Sequence, residues 1–161
     1  MSVTAPAGRV AAGPAAGLNS SADRDAAPPA HLRPPSSVPE QFVDAGVVAA
    51  PVVWSRQVVA DGRVDAVVLN SGGANACTGP GGFADTHHTA EHVAKRLTEN
   101  GRELAAGDVA VCSTGLIGLR LPMPQLLSGV DTAAAALSPD GGQDAALAIM
   151  TTDTVSKTAV V

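Results

Sequence analysis

The stretch RVDAVVLN (63–70), running on into SGGANACTGPGG (71–82) and then FADTHHTAEHVAKRLTENG (83–101), decides the fold. Its first eight residues are a short apolar run flanked by polar residues, and they end at a glycine-rich turn, which predicts a strand. Beyond the turn, Asp85 and Thr86 are positioned to cap a helix through Thr98. Ala90, Val93, Ala94 and Leu97 fall on one face of that helix, and Asn100-Gly101 stops it. The order then repeats. DVAVC (108–112) reads as a buried strand delivered into a turn at Ser113-Thr114-Gly115, and Met123 to Val130 reads as a short helix behind Pro122 and Pro124.

Working outward, VVAAPVVW (47–54) is a further strand candidate on its β-branched content. Asp131 to Leu137 and Gln143 to Met150 are Ala-rich helical segments split by Ser138 to Gly142, and the chain ends in the strand-like TAVV. A domain rarely stops inside an apolar strand, so Val161 is expected to be an interruption. Asn19 to Pro39 carries prolines at 28, 29, 34, 35 and 39 and no periodic apolar residues, so it reads as a linker or a disordered segment.

At 161 residues the chain makes one domain, not two large ones. Apolar residues are 45% but aromatics only 2%, so the core must be built from Ala, Val and Leu. The net charge of -5 and the scattered cations argue against nucleic acid as a partner. No apolar run is long enough for a spanning helix, and Met1 to Gly17 does not have the pattern of a secretory signal, which predicts a cytoplasmic protein. Cys77 and Cys112 form no CxxC pair and fit a reducing compartment.

Four features bear on chemistry. The glycine cluster 70–82 follows a strand and precedes a helix, where backbone N–H groups bind anions, but it has neither a P-loop Lys nor GxGxxG. A structural turn and an anion site both remain open. HTAEH (88–92) matches an HxxEH zinc pattern through His88, Glu91 and His92, and equally fits the polar face of an amphipathic helix. Ser113-Thr114-Gly115 offers hydroxyls and a glycine amide for a nucleophile or for donors to an oxyanion. Cys112 reads as a small buried residue or a nucleophile, and Thr151-Thr152-Asp153 as a cap or a substrate-binding turn.

NSGGANACTGPGGFADTH (70–87), VAVCSTGLIGLRLPM (109–123) and AIMTTDTVSK (148–157) together resemble three consecutive motifs of the bifunctional ornithine acetyltransferase / glutamate N-acetyltransferase family of arginine biosynthesis. VTAPAG near the start and VVAAPVVWSRQV (47–58) resemble it too, leaving about 19–46 unmatched. The resemblance implies an α+β fold, part of a layered αββα sandwich. It implies transfer of acetyl from N2-acetylornithine to glutamate through an acetyl-threonine enzyme. Residue by residue, Thr114 and Gly115 match the oxyanion-hole pair and Thr151 a substrate-binding position. The nucleophilic threonine has no counterpart in this chain.

The implied partner is a β chain cut from the same precursor, in a cytoplasmic heterotetramer of two α and two β chains. No metal or flavin cofactor is implied, and acetyl-CoA is a second acetyl donor in some members. Residues 1–161 are then an incomplete α-chain-like part of one acetyltransferase domain, with 19–46 either a linker or a segment read out of frame. The rival readings are a non-catalytic remnant or orphan subunit, and a zinc hydrolase built on HTAEH.

Overall fold

The computed structural model describes residues 26–37, 47–150 and 153–157. In order these form β1 (Ala26–Ser37), α1 (Ala50–Val58), β2 (Arg63–Gly73), α2 (Gly79–Glu99), β3 (Val109–Leu116), α3 (Met123–Ala135) and α4 (Gly142–Ala148), with short 3-10 turns at Val59–Asp61 and Ala106–Asp108. The sheet runs β1-β2-β3, with β1 antiparallel to β2 and β2 parallel to β3. This is the expected α+β class. Among the described residues it contributes one sheet of the expected αββα layers.

β2 is the central strand because it alternates. Val64, Ala66 and Val68 are buried, while Asp65 and Val67 are less so. Val68 and Ala66 meet Val109 and Val111 of β3, the face of α2 formed by Ala90, Val93, Ala94 and Leu97, and Val130 of α3 in one core. The apolar face expected of α2 is therefore the one it buries. The buried hydrophobics of this core and its neighbour are all Ala, Val and Leu, as the scarcity of aromatics requires. Asn100 and Gly101 end α2 as expected. Gly101 adopts φ +91°, its N–H donates to the Thr98 carbonyl at 2.9 Å, and the Arg102 N–H reaches back to Leu97 at 3.1 Å.

Three expectations are corrected. VVAAPVVW is not a strand but the start of α1: Pro51 sits in the first helical turn, where it has no N–H to waste, and Pro51, Ser55 and Val58 are buried at helical spacing. α2 begins at Gly79, with Pro80 in its first turn, well before Asp85 and Thr86. Those two residues are buried in its body and bond elsewhere, so they do not cap it. The linker reading of 19–46 gives way over Ala26–Ser37 to an edge strand. Its register with β2 shifts between Ala27 and Ala30 and between His31 and Ser36, and each shift spans a Pro-Pro pair. Proline cannot donate to a ladder, so it is tolerated at an edge and breaks the pairing there. The remainder of that segment, and the TAVV terminus, lie outside the described residues.

α1 covers the outer edge of β3. The Trp54 indole N–H donates to the Val109 carbonyl at 2.9 Å. Ser55 Oγ accepts the Val111 N–H at 2.9 Å and donates to the Val111 carbonyl at 2.8 Å. A helix laid along an edge in this way satisfies ladder groups that would otherwise pair with another chain.

Candidate functional site

The regular alternation of β2 ends at Asn70 and Ser71, which are both buried. From here the carboxyl ends of the two parallel strands run side by side, pairing Asn70 with Ser113, Ser71 with Thr114, Gly72 with Gly115 and Gly73 with Leu116. Ser113-Thr114-Gly115 was expected as a turn and is instead the end of β3, because the ladder with 70–73 continues through it. The carboxyl ends of parallel strands are where open α/β sheets place their ligands.

A pocket of about 190 Å³ opens there, lined by Leu69, Asn70, Cys112, Ser113, Thr114 and Ile149. Ser113 Oγ donates to Asn70 Oδ1 at 2.6 Å, and Asn70 Nδ2 donates to the Gly73 carbonyl at 3.1 Å. The two strands are thus cross-linked immediately before Thr114. Ser71 Oγ donates to the Ala148 carbonyl at 3.2 Å, docking the end of α4 and bringing Ile149 to the pocket wall. Its lining mixes the apolar side chains of Leu69 and Ile149 with hydroxyl, amide and thiol groups.

Gly115 adopts φ +131°, and a Cβ there would stand 2.5 Å from the Gly72 carbonyl carbon. Only glycine fits this conformation and this approach. Val109 and Val111 turn their backbone groups toward α1, on the side of β3 away from β2. A hydroxyl at Thr114 and a main-chain N–H at Gly115 beside a pocket are the donor types that hold a developing oxyanion. Thr151 lies outside the described residues. Cys112 is exposed in the pocket rather than a buried core residue, yet the protein packed around its thiol raises its pKa by desolvation, which leaves it a weak nucleophile at neutral pH.

HTAEH does not assemble a metal site. His92 Nε2 is 2.6 Å from Asp131 Oδ1 on α3, and Glu91 lies 3.6 Å from His87. Among the described residues no group of three or more His, Cys, Asp and Glu side chains is placed to hold an ion. The stretch works instead as a helix-to-helix tie. Arg96 Nε donates to the same Asp131 oxygen at 2.5 Å, and this bond, with help from His92, holds the Asp131 carboxyl down at about 2. The glycine cluster 70–82 supplies the end of β2 and the entry to α2. Beyond it, the nearly buried Asp85 receives a two-pronged bond from Arg120, both contacts 2.5 Å, which raises the Arg120 pKa further.

A family model described as ArgJ matches residues 10–161. This chain belongs to the ArgJ family. The Arginine biosynthesis bifunctional protein ArgJ of Thermobifida fusca is 57% identical over 159 residues, 99% of this chain and 40% of that protein. The protein of the same name from Streptomyces coelicolor is 56% identical over 161 residues, all of this chain and 41% of its own length. This ArgJ-family chain therefore spans about two fifths of the curated relatives it matches. Among solved structures, ornithine acetyltransferase complexed with ornithine from Mycobacterium tuberculosis superposes with a TM-score of 0.92 at 54% identity, covering 96% of this chain and 81% of that one. The ArgJ protein of Bacillus halodurans gives a TM-score of 0.81 at 30% identity, covering 96% and 78%.

Motif reading picks out Ser113 with Thr114 and places Asn70 in the glycine cluster, but it does not bring the two together. Asn70 and Ser113 are the polar residues that close two apolar runs, VVLN and AVCS. A polar residue at the carboxyl end of each of two parallel strands is a signal that pattern reading can use, provided the pairing register is known. Leu69 and Ile149 carried no such signal.

Proposed function

We propose that this chain is the N-terminal part of a glutamate N-acetyltransferase that moves acetyl from N2-acetyl-L-ornithine to L-glutamate through an acetyl-threonine enzyme. The observation that carries the reading is the parallel pairing of 70–73 with 113–116, which leaves Thr114 in the lining of a partly apolar pocket with Gly115 next to it in the chain. The likeness to an ornithine-bound acetyltransferase of the same fold supports it.

In the first half-reaction the hydroxyl of a threonine at the start of the partner β chain attacks the acetyl carbonyl, and its own amino group takes the proton. The carbonyl oxygen becomes an oxyanion that accepts hydrogen bonds from the Thr114 hydroxyl and the Gly115 N–H. Collapse of the tetrahedral intermediate re-forms the carbonyl, expels the ornithine amine with the proton and leaves an acetyl ester on threonine. Glutamate's amine then attacks that ester, passing through a second oxyanion in the same place, and the threonine oxygen leaves and recovers its proton. Leu69 and Ile149 suit the acetyl methyl, and Thr151 is a substrate-binding residue. These groups run both half-reactions without a metal or flavin, and acetyl-CoA is an alternative donor to the same nucleophile. The α and β chains, cut from one precursor, form a cytoplasmic heterotetramer.

The test is acetyl transfer by the full-length, processed protein. Thr114→Val is expected to lower turnover on the order of a hundredfold with the subunits still assembled. Unchanged turnover removes Thr114 from the site. An unmodified assembly that transfers no acetyl group to glutamate favours the non-catalytic remnant.

A further inference from the structure

Asn75, in the turn between β2 and α2, is fully buried and holds the left-handed conformation at φ +48°. Non-glycine residues adopt that conformation at a cost, so the surroundings must fix it. They do. Nδ2 donates to the Gly82 carbonyl at 2.8 Å and to Thr86 Oγ1 at 2.9 Å, and Oδ1 accepts from the Thr78 hydroxyl at 2.7 Å. Its main-chain carbonyl accepts the Ala50 N–H at 3.2 Å, at the start of α1. Gly82 leaves the room this requires, since a Cβ there would lie 2.4 Å from Asn75 Oδ1 and 1.9 Å from Thr78 Oγ1.

The two neighbours of Asn75 grip the segment that follows the oxyanion pair. The Ala74 N–H donates to the Leu116 carbonyl at 2.8 Å, and the Ala76 carbonyl accepts the Gly118 N–H at 2.8 Å. Leu116 and Ile117 are both 68% exposed, so little packing of their own holds this stretch. The backbone clips on either side of Asn75 supply the restraint, and Gly115 immediately precedes the first of them.

We infer that Asn75 is a positioning residue for Thr114 and Gly115. Its side chain locks residues 74–76 against α2, and those residues in turn fix the Leu116–Gly118 segment that sets the aim of the two donors. This rests on the oxyanion reading of Thr114 and Gly115. Neither Asn75 nor its partners Thr78, Gly82 and Thr86 line the pocket, so the effect runs through geometry alone.

The experiment is steady-state acetyl transfer from N2-acetylornithine to glutamate by the processed full-length protein. Asn75→Asp, which loses the amide donors, and Thr86→Val, which removes one acceptor from α2 with little change in shape, are made alone and in a Thr114→Val background. The expected result is a fall in kcat of about tenfold in each assembled variant with KM within about twofold, because misaimed donors weaken only the transition state. In the Thr114→Val background the same changes should cost clearly less than in the parent, about threefold instead of tenfold, since one of the two donors they aim is already gone and only the Gly115 N–H remains to be misaimed. A merely structural role lowers the melting temperature but not kcat per assembled enzyme. Full kcat in assembled Thr86→Val, or an equal proportional loss in both backgrounds, overturns the inference, and Thr86→Val decides alone if Asn75→Asp does not assemble. Thr114→Val with normal turnover is the separate outcome that sinks the oxyanion reading itself.

Discussion

Gly115 and Gly72 face each other so closely across the parallel strand pair that a methyl group on Gly115 would come within 2.7 Å of the Gly72 carbonyl oxygen and the Gly73 nitrogen. Neither backbone can yield without parting the ladder that joins Asn70–Gly73 to Ser113–Leu116. Gly115→Ala is therefore expected to combine left-handed strain with a backbone clash, a loss of about 1–3 kcal/mol or more. Thermal denaturation of the variant checks it, and a melting temperature equal to the parent's would show that the approach is not as tight as described.

Ser55 meets both main-chain groups of Val111 with one hydroxyl. Ser55→Ala leaves a buried N–H and C=O unpaired and should destabilise by about 1–3 kcal/mol. Chemical denaturation measures this directly. Hydrogen exchange should also quicken at Val111 more than at Val68, whose main chain lies in the sheet interior.

Asp131 gives a pH dependence of known sign. Its carboxyl titrates at about 2 in the folded chain, against an ordinary 3.8, chiefly because Arg96 donates to it. A depressed carboxylate stabilises the fold above its unfolded value, and the contribution disappears as pH falls from about 4 through about 2. The stability difference between the parent and Asp131→Asn should hence shrink as pH falls from about 4 through about 2. Because more than a third of each side chain is exposed, added salt should reduce the difference wherever the Asp131 carboxyl is ionised. An acid titration at two salt concentrations tests both statements.

Asp85 is nearly buried while Arg120, its two-pronged partner, reaches out from the loop before α3. Removing the arginine strands a carboxylate in α2, whereas removing both charges leaves a neutral amide. Arg120→Gln alone should therefore lower the melting temperature more than Asp85→Asn combined with Arg120→Gln. The reverse order in calorimetry would mean that Asp85 finds another partner.

Much of this molecule is legible in the sequence, for physical reasons that differ between elements. The buried face of α2 is visible because Ala90, Val93, Ala94 and Leu97 repeat with the helical period and Gly101 supplies the stop. β2 and the start of β3 are visible as short apolar runs. The start of α1 is hidden by the β-branched residues of VVAAPVVW, where Pro51 at the first turn outweighs strand propensity. Asp85 and Thr86 look like caps because Asp and Thr often are. They are instead interior partners of Arg120 and Asn75, a role set by contacts 35 and 11 residues away. The pocket is legible in part: Thr114 and Gly115 stand out in their motif, but Asn70 and Ser113 become neighbours only through the register of a parallel pair, which local pattern does not carry.

The catalytic role of Thr114 turns on what its hydroxyl points at. A crystal structure of the processed full-length protein with N2-acetylornithine bound measures it. The distance from the acetyl carbonyl oxygen to Thr114 Oγ1 and to the Gly115 nitrogen should be about 3 Å in each case. An acetyl group bound elsewhere, with that oxygen turned away from both, would contradict the assignment.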